Sequence, residues 1–241
     1  MALETGDAST ARRWAVEALE ITRTLNDPFA VAHAEFLLAN VEAGDMNWSA
    51  ARELLERSRA TFRRLLPNGH YALLSTRVLS WVCLEMGDRQ LAQELSEQNL
   101  RDARAAGNTR IEAMTLGQLA FRAIDDGRIE EAAPLARDAY RMKRQQGDQM
   151  GVASDLFTIT RLLAAADRPE DAARVLSRSV ALYEELGAAV PSYDLADIEK
   201  LRRSLAATLG EAGFAKATDA GRTLTLDEVD AILDATVVAL T

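Results

Sequence analysis

Apolar residues return along this chain at the spacing of helices rather than strands. A representative set from the middle of the sequence is Ala113, Leu116, Leu119, Ala120, Ala123 and Ile124. This spacing places the set on one face of a helix, whereas a half-buried strand would alternate apolar and polar positions. Strands are needed nowhere along the sequence to account for the pattern. The sequence therefore predicts an all-α protein.

Turn residues divide the predicted helices into regular pairs. One series comprises Gly87-Asp88, Gly127-Arg128 and Asp167-Arg168, and a second comprises Gly107, Gly147 and Gly187, each with a step of 40 residues. The two series are offset by half a period, so one lies within each helix pair and the other between pairs. Gly44 and Gly6 extend the first series backwards at looser steps. We therefore predict a solenoid of antiparallel helix pairs with repeats of about 40 residues.

The pairs resemble the tetratricopeptide repeat in the placement of large and small residues. Eight residues before the turn lie Phe36, Leu79, Leu119 and Ile159, which match the large position of that family, and five residues after it lie Ala92, Ala132 and Ala172, which match its small position. The step exceeds the usual length of about 34 residues. The resemblance implies a right-handed α-α superhelix in which the first helix of each pair lines a concave face.

The C-terminal segment predicts a cap for the array. Gly210, Phe214, Ala217 and the run from Gly221 to Glu228 resemble the tail that closes the repeat region of actinobacterial LuxR-type and SARP-type transcriptional regulators and cyclase-repeat proteins. Thr225 and Glu228 have the spacing of a capping box that starts a final helix. We therefore assign residues 1–210 to the repeat solenoid and 211–241 to a capping segment of the same domain.

The overall charge makes nucleic acid a poor candidate for the partner. Twenty-eight Lys and Arg oppose 37 Asp and Glu, so the net charge is −9, the wrong sign for neutralising phosphates. No stretch approaches the length of apolar sequence that spans a bilayer. The single cysteine, Cys83, precludes an internal disulfide and suits a reducing compartment. We predict a cytoplasmic protein that contacts neither membrane nor nucleic acid.

Candidate catalytic groups are sparse. His33 and His70 lie at different repeat positions and predict neither a shared metal site nor a proton relay, and His33 is expected to pack between helices. Cys83 falls at a core position of its repeat, where a buried thiol is unreactive. The sequence lacks the phosphate-binding, dinucleotide, nucleophile-elbow and zinc-protease motifs. The sequence predicts a protein that is not an enzyme and needs no cofactor or metal.

Three sets of equivalent positions before the turns define a candidate binding groove. The first is the apolar and aromatic set Leu38, Trp81, Phe121 and Arg161, the second is the acidic set Glu42, Glu85 and Asp125, and the third includes Arg77, Gly117 and Phe157. Gly117 is expected to leave a pocket. The alternatives are that the rings pack between helices and that the carboxylates are ordinary solvated charges. Because carboxylates near helix C-termini oppose the macrodipole, we expect the acidic set to serve a ligand.

The combined pattern predicts a non-catalytic protein-interaction module. Its partner would be a peptide or helix with an apolar anchor and a neighbouring Lys or Arg. The setting would be a bacterial regulatory or signalling system. There the chain would act as a separate adaptor or as one arm of a larger regulator. The alternative is a domain that senses a small effector in the concavity. A third possibility is self-association through the N-terminal helix, whose Trp14, Val16, Leu19 and Ile21 lack a preceding partner helix.

Overall fold

The computed structural model describes residues 8–240, and these fold into helices joined by short turns. The eleven helices of this range are α1 Ala8–Thr24, α2 Pro28–Gly44, α3 Trp48–Leu65, α4 His70–Glu85, α5 Arg89–Ala105, α6 Thr109–Asp125, α7 Ile129–Gln145, α8 Gln149–Ala165, α9 Pro169–Glu185, α10 Ser192–Arg222 and α11 Leu226–Leu240. No strand occurs between residues 8 and 240. The all-α prediction is confirmed. Helix α7 begins at Ile129 and contains Pro134.

Residues in the left-handed backbone region end most of the helices at the predicted period. Gly87, Gly127 and Asp167 have φ values of 84°, 72° and 56°, and Gly107, Gly147 and Gly187 form the second series. At each turn of the first series, the next amide donates to a carbonyl in the last helical turn, as from Arg128 N to Ala123 O at 2.8 Å. This bond closes a Schellman motif, which satisfies carbonyls that the helix end leaves free. The repeat of 40 residues is confirmed.

The first repeat follows a register that differs from the sequence prediction by two residues. The left-handed residue of its turn is Met46, with φ 60°, and not Gly44, which is the last residue of α2. The closing bond runs from Asn47 N to Glu42 O at 2.8 Å, just as Asp88 N donates to Cys83 O. The structural equivalent of Cys83 in the first repeat is therefore Glu42. The alignment of Gly44 with Gly87 was wrong.

The helices form two compact units, which are described separately below. The N-terminal unit ends at Thr115 and the C-terminal unit begins at Leu116, so α6 contributes to both. Small residues allow close packing of helices in each unit, and Ala51, Ala92, Ala132 and Ala172 are all fully buried. In the N-terminal unit, Ser80 Oγ donates to Ala92 O at 2.7 Å across the interface between α4 and α5. The assignment of residues 1–210 to the solenoid and 211–241 to a capping segment of the same domain stays a prediction.

The C-terminal segment consists of α10 and α11. Helix α10 is interrupted at Gly210, whose φ of 71° and ψ of 159° are not helical. Its last turn lies so close to α9 that a β-carbon on Gly221 would be 2.2 Å from Arg174 O. The predicted capping box is present, because Thr225 N donates to Glu228 Oε2 at 2.8 Å and Glu228 N donates to Thr225 Oγ1 at 3.2 Å. Helix α11 then packs against α7.

Among the helices of residues 8–240, none is long and apolar enough to cross a bilayer.

Candidate binding surfaces

An aromatic pair with an adjacent carboxylate forms the candidate surface of the N-terminal unit. The ring of Trp81 on α4 meets the ring of Trp48 on α3 edge to face, with centroids 5.4 Å apart. One turn further along α4, Glu85 accepts a hydrogen bond of 3.1 Å from Trp81 Nε1. Both indoles are half-buried and Glu85 is exposed. The tryptophan is therefore fixed on two sides while part of its ring remains accessible.

Exposed methionines occupy the turns next to this aromatic pair in sequence. Met46 precedes α3 and is 71% exposed, and Met86 follows Glu85 and is 42% exposed. Methionine side chains are flexible and polarisable, and they contact aromatic and aliphatic groups of varied shape. We name Trp48, Trp81, Glu85 and these two turn residues the tryptophan surface. The repeat spacing predicts Trp81 and Glu85 but not Trp48, because Trp48 lies on α3, the helix that precedes α4.

Because the register of the first repeat differs by two residues from the predicted one, Leu38 and Glu42 do not occupy the positions of Trp81 and Glu85. Leu38 is 9% exposed and Glu42 is 7% exposed, and both lie in the buried layer of α2. Glu42 accepts hydrogen bonds from Arg12 Nη2 at 3.0 Å and from Asn47 Nδ2 at 2.9 Å. Together with Asp45, which makes the larger contribution, Glu42 raises the pKa of the Arg12 guanidinium. This carboxylate closes an internal ion pair, so the prediction that it is held for a ligand is corrected.

A cation stacked on an aromatic ring forms the candidate surface of the C-terminal unit. The guanidinium of Arg161 on α8 lies 4.1 Å from the ring centroid of Phe121 on α6. The same guanidinium donates a hydrogen bond to Asp125, one turn after Phe121 on α6. A cation–π contact of this kind contributes about 0.5–2 kcal/mol, depending on how well water is excluded. We name Phe121, Asp125 and Arg161 the arginine clamp, and its phenylalanine remains half-buried.

A buried ion pair occupies the space that Gly117 leaves. Lys143 Nζ on α7 donates to Asp155 Oδ1 on α8 at 2.6 Å, and the two side chains are only 9% and 7% exposed. A β-carbon on Gly117 would lie 3.1 Å from that same oxygen. Burial raises the pKa of Asp155, while Lys143 opposes the shift. The glycine therefore makes room for an internal carboxylate, and the pocket expected there is filled.

The remaining predicted positions divide between core and surface. Phe157, two residues after Asp155, is 5% exposed and belongs to the hydrophobic core of the C-terminal unit. It therefore offers almost no area to a partner. Arg77 lies on α4 in the N-terminal unit and is half-buried. The predicted set thus separates into Trp81 and Glu85 in one unit, Phe121, Asp125 and Arg161 in the other, and residues that serve packing.

Both histidines contact one tyrosine, an arrangement that the sequence analysis missed. Tyr71 lies 4.9 Å from the ring of His33 and 5.4 Å from that of His70, in each case edge to face. Phe62 stacks on Tyr71 at 5.3 Å, and Phe29 stacks on His33 at 6.2 Å. Burial lowers the pKa of His33. The predicted packing of His33 between helices is confirmed, and its partners are aromatic.

We expect this packing to make stability depend on the protonation of His33. Because its pKa is lowered in the folded chain, the unfolded chain takes up the proton first, near pH 6.5. Stability should therefore fall as the pH drops from about 6.5 through the lower pKa of the folded state. We predict that His33→Gln reduces the fall in Tm between pH 7.5 and pH 5, measured by circular dichroism. His70→Gln is the matched control, and an equal effect of both variants would contradict the prediction.

Cys83 is fully buried, and burial raises the pKa of its thiol, so it is not a ready nucleophile. Within residues 8–240, no group of three His, Cys, Asp or Glu side chains is arranged to hold a metal ion. The geometry of the two surfaces is that of binding by aromatic and charged side chains.

Solved structures share this arrangement of helices. BtubC (BKLC) from P. vanneervenii is 20% identical with a TM-score of 0.66, and the match covers 95% of this chain and 91% of that one. A kinesin light chain from Podosopora anserina, described as having nearly identical TPR-like repeats, is 19% identical with a TM-score of 0.55 over 89% of this chain and 96% of that one. The chain has a tetratricopeptide-like fold. This likeness concerns the fold alone.

Sequence comparisons add no narrower relationship to the tetratricopeptide-like fold. No protein-family model matches the chain. No curated protein matches it either. The resemblance of the C-terminal tail to actinobacterial regulators therefore remains a prediction from the residues quoted above.

Proposed function

We propose that this chain is a protein-interaction module, in which the tryptophan surface of the N-terminal unit and the arginine clamp of the C-terminal unit each bind a peptide or helix. The observation that supports the proposal most is the placement of Trp81 and Phe121. They occupy equivalent positions of successive repeats, six residues before the left-handed turn residue, and both rings are half-exposed. Large aromatic residues supply much of the binding energy at protein interfaces, because they bury a large area at a small entropic cost.

The rigid setting of both rings supports this function. Trp81 is held by Trp48 and Glu85, and Phe121 is covered on one face by Arg161, which is itself tied to Asp125. A partner therefore does not have to order these side chains on binding. Preorganisation of this kind raises affinity by lowering the entropic cost of association.

The charges of the two surfaces indicate the chemistry of the partner. Asp125 is already paired with Arg161, whereas Glu85 is exposed and accepts a hydrogen bond from a neutral indole. Glu85 is therefore the carboxylate best placed to meet a cation. We infer a partner segment with a large apolar anchor for Trp81 and a Lys or Arg beside it. The regulatory setting, as an adaptor or as one arm of a bacterial regulator, is proposed on the resemblance of the C-terminal tail.

A small-molecule sensor is the second candidate function, and one cleft favours it. Between α9 and α10 in the C-terminal unit, the cleft is lined by the apolar Leu176, Val180 and Phe214 and by the charged Arg202, Asp219 and Arg222. A cleft that combines apolar side chains with a few charged groups is typical of ligand sites. Arg222 is bound to Glu184 at 3.0 Å, so an anionic effector would compete with an existing ion pair.

Selection and affinity measurement with matched variants would test the interaction function. Peptides would be selected from a random displayed library against the native chain, and their Kd values measured by fluorescence anisotropy. We expect Trp81→Ala or Phe121→Ala to weaken binding at least tenfold, because truncation of an aromatic anchor costs about 2 kcal/mol or more. Leu195→Ala, which removes a side chain 51% exposed on α10, should leave Kd unchanged.

Charge reversal at Glu85 provides a second readout in the same assay. Glu85→Lys should weaken binding of basic peptides and flatten the dependence of Kd on salt, while Tm stays within a degree or two of the native value. Equal affinity of the selected peptides for the native chain and all three surface variants would refute both surfaces. If no peptide is selected but a small anion raises Tm, the cleft between α9 and α10 becomes the leading site.

A further inference from the structure

We infer that the face formed by α7, with Arg141 and Arg144, and by Arg168 at the N-cap of α9 is a second docking surface, specific for an acidic amphipathic helix of a partner protein. In this structure α11 occupies that face as an intramolecular ligand. The inference does not depend on the tryptophan surface or the arginine clamp. It rests on the contacts of α11, all of which lie within the C-terminal unit.

Two arginines of α7 bind the acidic edge of α11. Arg141 donates from Nε to Asp230 at 2.8 Å and from Nη2 to Asp234 at 2.7 Å. Arg144 donates to Asp227 at 2.7 Å and also binds Asp230. The three aspartates have the spacing i, i+3 and i+7, which aligns them on one side of the helix. Guanidinium–carboxylate pairs in this number fix the register of the helix as well as its orientation.

Side chains of α7 and of the residue that caps α9 also bind the backbone of α11. Tyr140 Oη and Arg144 Nη1 donate to Leu226 O at 2.9 and 3.1 Å, and Arg168 Nη1 donates to Ile232 O at 3.0 Å. Arg168 also binds the hydroxyl of Thr236. These bonds go to groups that any helix in this position presents. They therefore recognise a docked helix by its shape, while the aspartates supply its charge.

An apolar stripe beside the aspartates completes the interface. Val229 and Leu233 are fully buried, and Ile232 is 9% exposed. On the opposite side of α11, Val238 is 75% exposed. The helix therefore presents an apolar stripe with an acidic border, which is the pattern by which helices dock in grooves. A partner for this face needs the same two features and no basic residue along the acidic border.

The connection of α11 to the chain resembles that of a tethered ligand more than that of a repeat helix. Helices α1 to α5 and α7 to α10 pack chiefly against neighbours in sequence, whereas α11 packs against α7, which lies four helices earlier in the chain. Only residues 223–225 join it to α10, and its own capping box starts the helix. A tether this short maintains a high local concentration of α11 at the face. A free helix of the same chemistry must overcome that competition before it binds.

Weakening the intramolecular contact should therefore reveal binding in trans. The probe is a fluorescein-labelled synthetic peptide of residues 225–240, added to the full chain and followed by anisotropy. Asp230→Arg, Asp234→Arg in the chain repels Arg141 and Arg144 and should raise the affinity of the native-sequence peptide at least tenfold over that of the native chain. The same peptide with both aspartates changed to lysine should not bind. Adding Arg141→Ala and Arg144→Ala to the chain variant should abolish the gain.

Measurements of folding and of molecular mass are the controls for the peptide-binding experiment. Circular dichroism would confirm that the chain variant retains its other helices, and Asp230→Ala, Asp234→Ala is the milder variant to use if it does not. Equal peptide affinity for the native and weakened chains, with hydrogen exchange showing α11 released, would overturn the inference. Light scattering that shows a dimer of the weakened chain would also overturn it, because the occupant in trans would then be a second copy of this chain.

Discussion

Gly221→Ala is expected to destabilise the C-terminal unit more than any other exchange of glycine for alanine in the described chain. The new β-carbon would lie 2.2 Å from Arg174 O and 2.7 Å from Arg174 Cα, and neither backbone atom can move without shifting α9. Overpacking of this kind costs about 3 kcal/mol or more. For a chain of this size, that corresponds to a fall in Tm of roughly 6–12 °C, measured by circular dichroism.

The matched control for this variant is Gly213→Ala in the same helix. Gly213 is exposed, and its β-carbon would make an ordinary contact of 3.5 Å with Leu209. Because alanine favours the helix over glycine, this variant should gain about 0.5–1 kcal/mol. The two exchanges are chemically identical, so they separate the effect of close packing from that of helix propensity. A Tm for Gly221→Ala within two degrees of the native value would show that α9 and α10 are not held at this distance.

Lys143→Met is expected to be the most destabilising change of a charged residue. It leaves Asp155 buried without its cation, and Asp155 Oδ2 already lacks a hydrogen-bond partner. Breaking a buried ion pair by removing one member costs about 3–5 kcal/mol. The loss should shrink as the pH falls, because burial raises the pKa of Asp155 and a protonated carboxyl no longer needs the lysine. Urea unfolding at pH 7 and pH 5 would measure both effects.

The double variant Lys143→Met, Asp155→Leu is the control for charge. It removes both members of the pair and fills the site with apolar groups, so it should recover most of the stability that the single variant loses. A double variant as unstable as Lys143→Met alone would show that the packing of the lysine stem, and not the unpaired carboxylate, determines the cost. A single variant as stable as the native chain would show that the pair is not buried in solution.

The periodic features of the fold could be predicted from the sequence because local physics determines them. Glycine is the residue that most readily takes the left-handed conformation, so Gly87, Gly127 and their counterparts mark helix ends directly. The small residues Ala92 and Ala132 mark positions where two helices approach closely, because only a small side chain fits there. The capping box at Thr225 follows from one spacing.

The register of the first repeat could not be predicted because its turn uses an uncommon residue. Met46 adopts a conformation that methionine rarely takes, and nearby Gly44 offered a stronger signal that belongs to the helix itself. The ion pairs of two of the three acidic positions, Glu42 and Asp125, could not be predicted for a different reason. Their partners, Arg12 for Glu42 and Arg161 for Asp125, lie on other helices and are 30 and 36 residues away. Repeat spacing shows which positions are equivalent but not which side chains meet across helices.

Helix α11 lies near the end of the chain, so the ribosome makes α7 well before it makes α11. Helix α7 is complete at Gln145, but α11, which covers its arginines, begins only at Leu226. At about 5–20 residues per second, a ribosome needs roughly 4–16 s to add the intervening segment. During that interval the arginines of the nascent chain face solvent without their aspartates. An acidic helix of another protein therefore has no intramolecular competitor at this face during that interval.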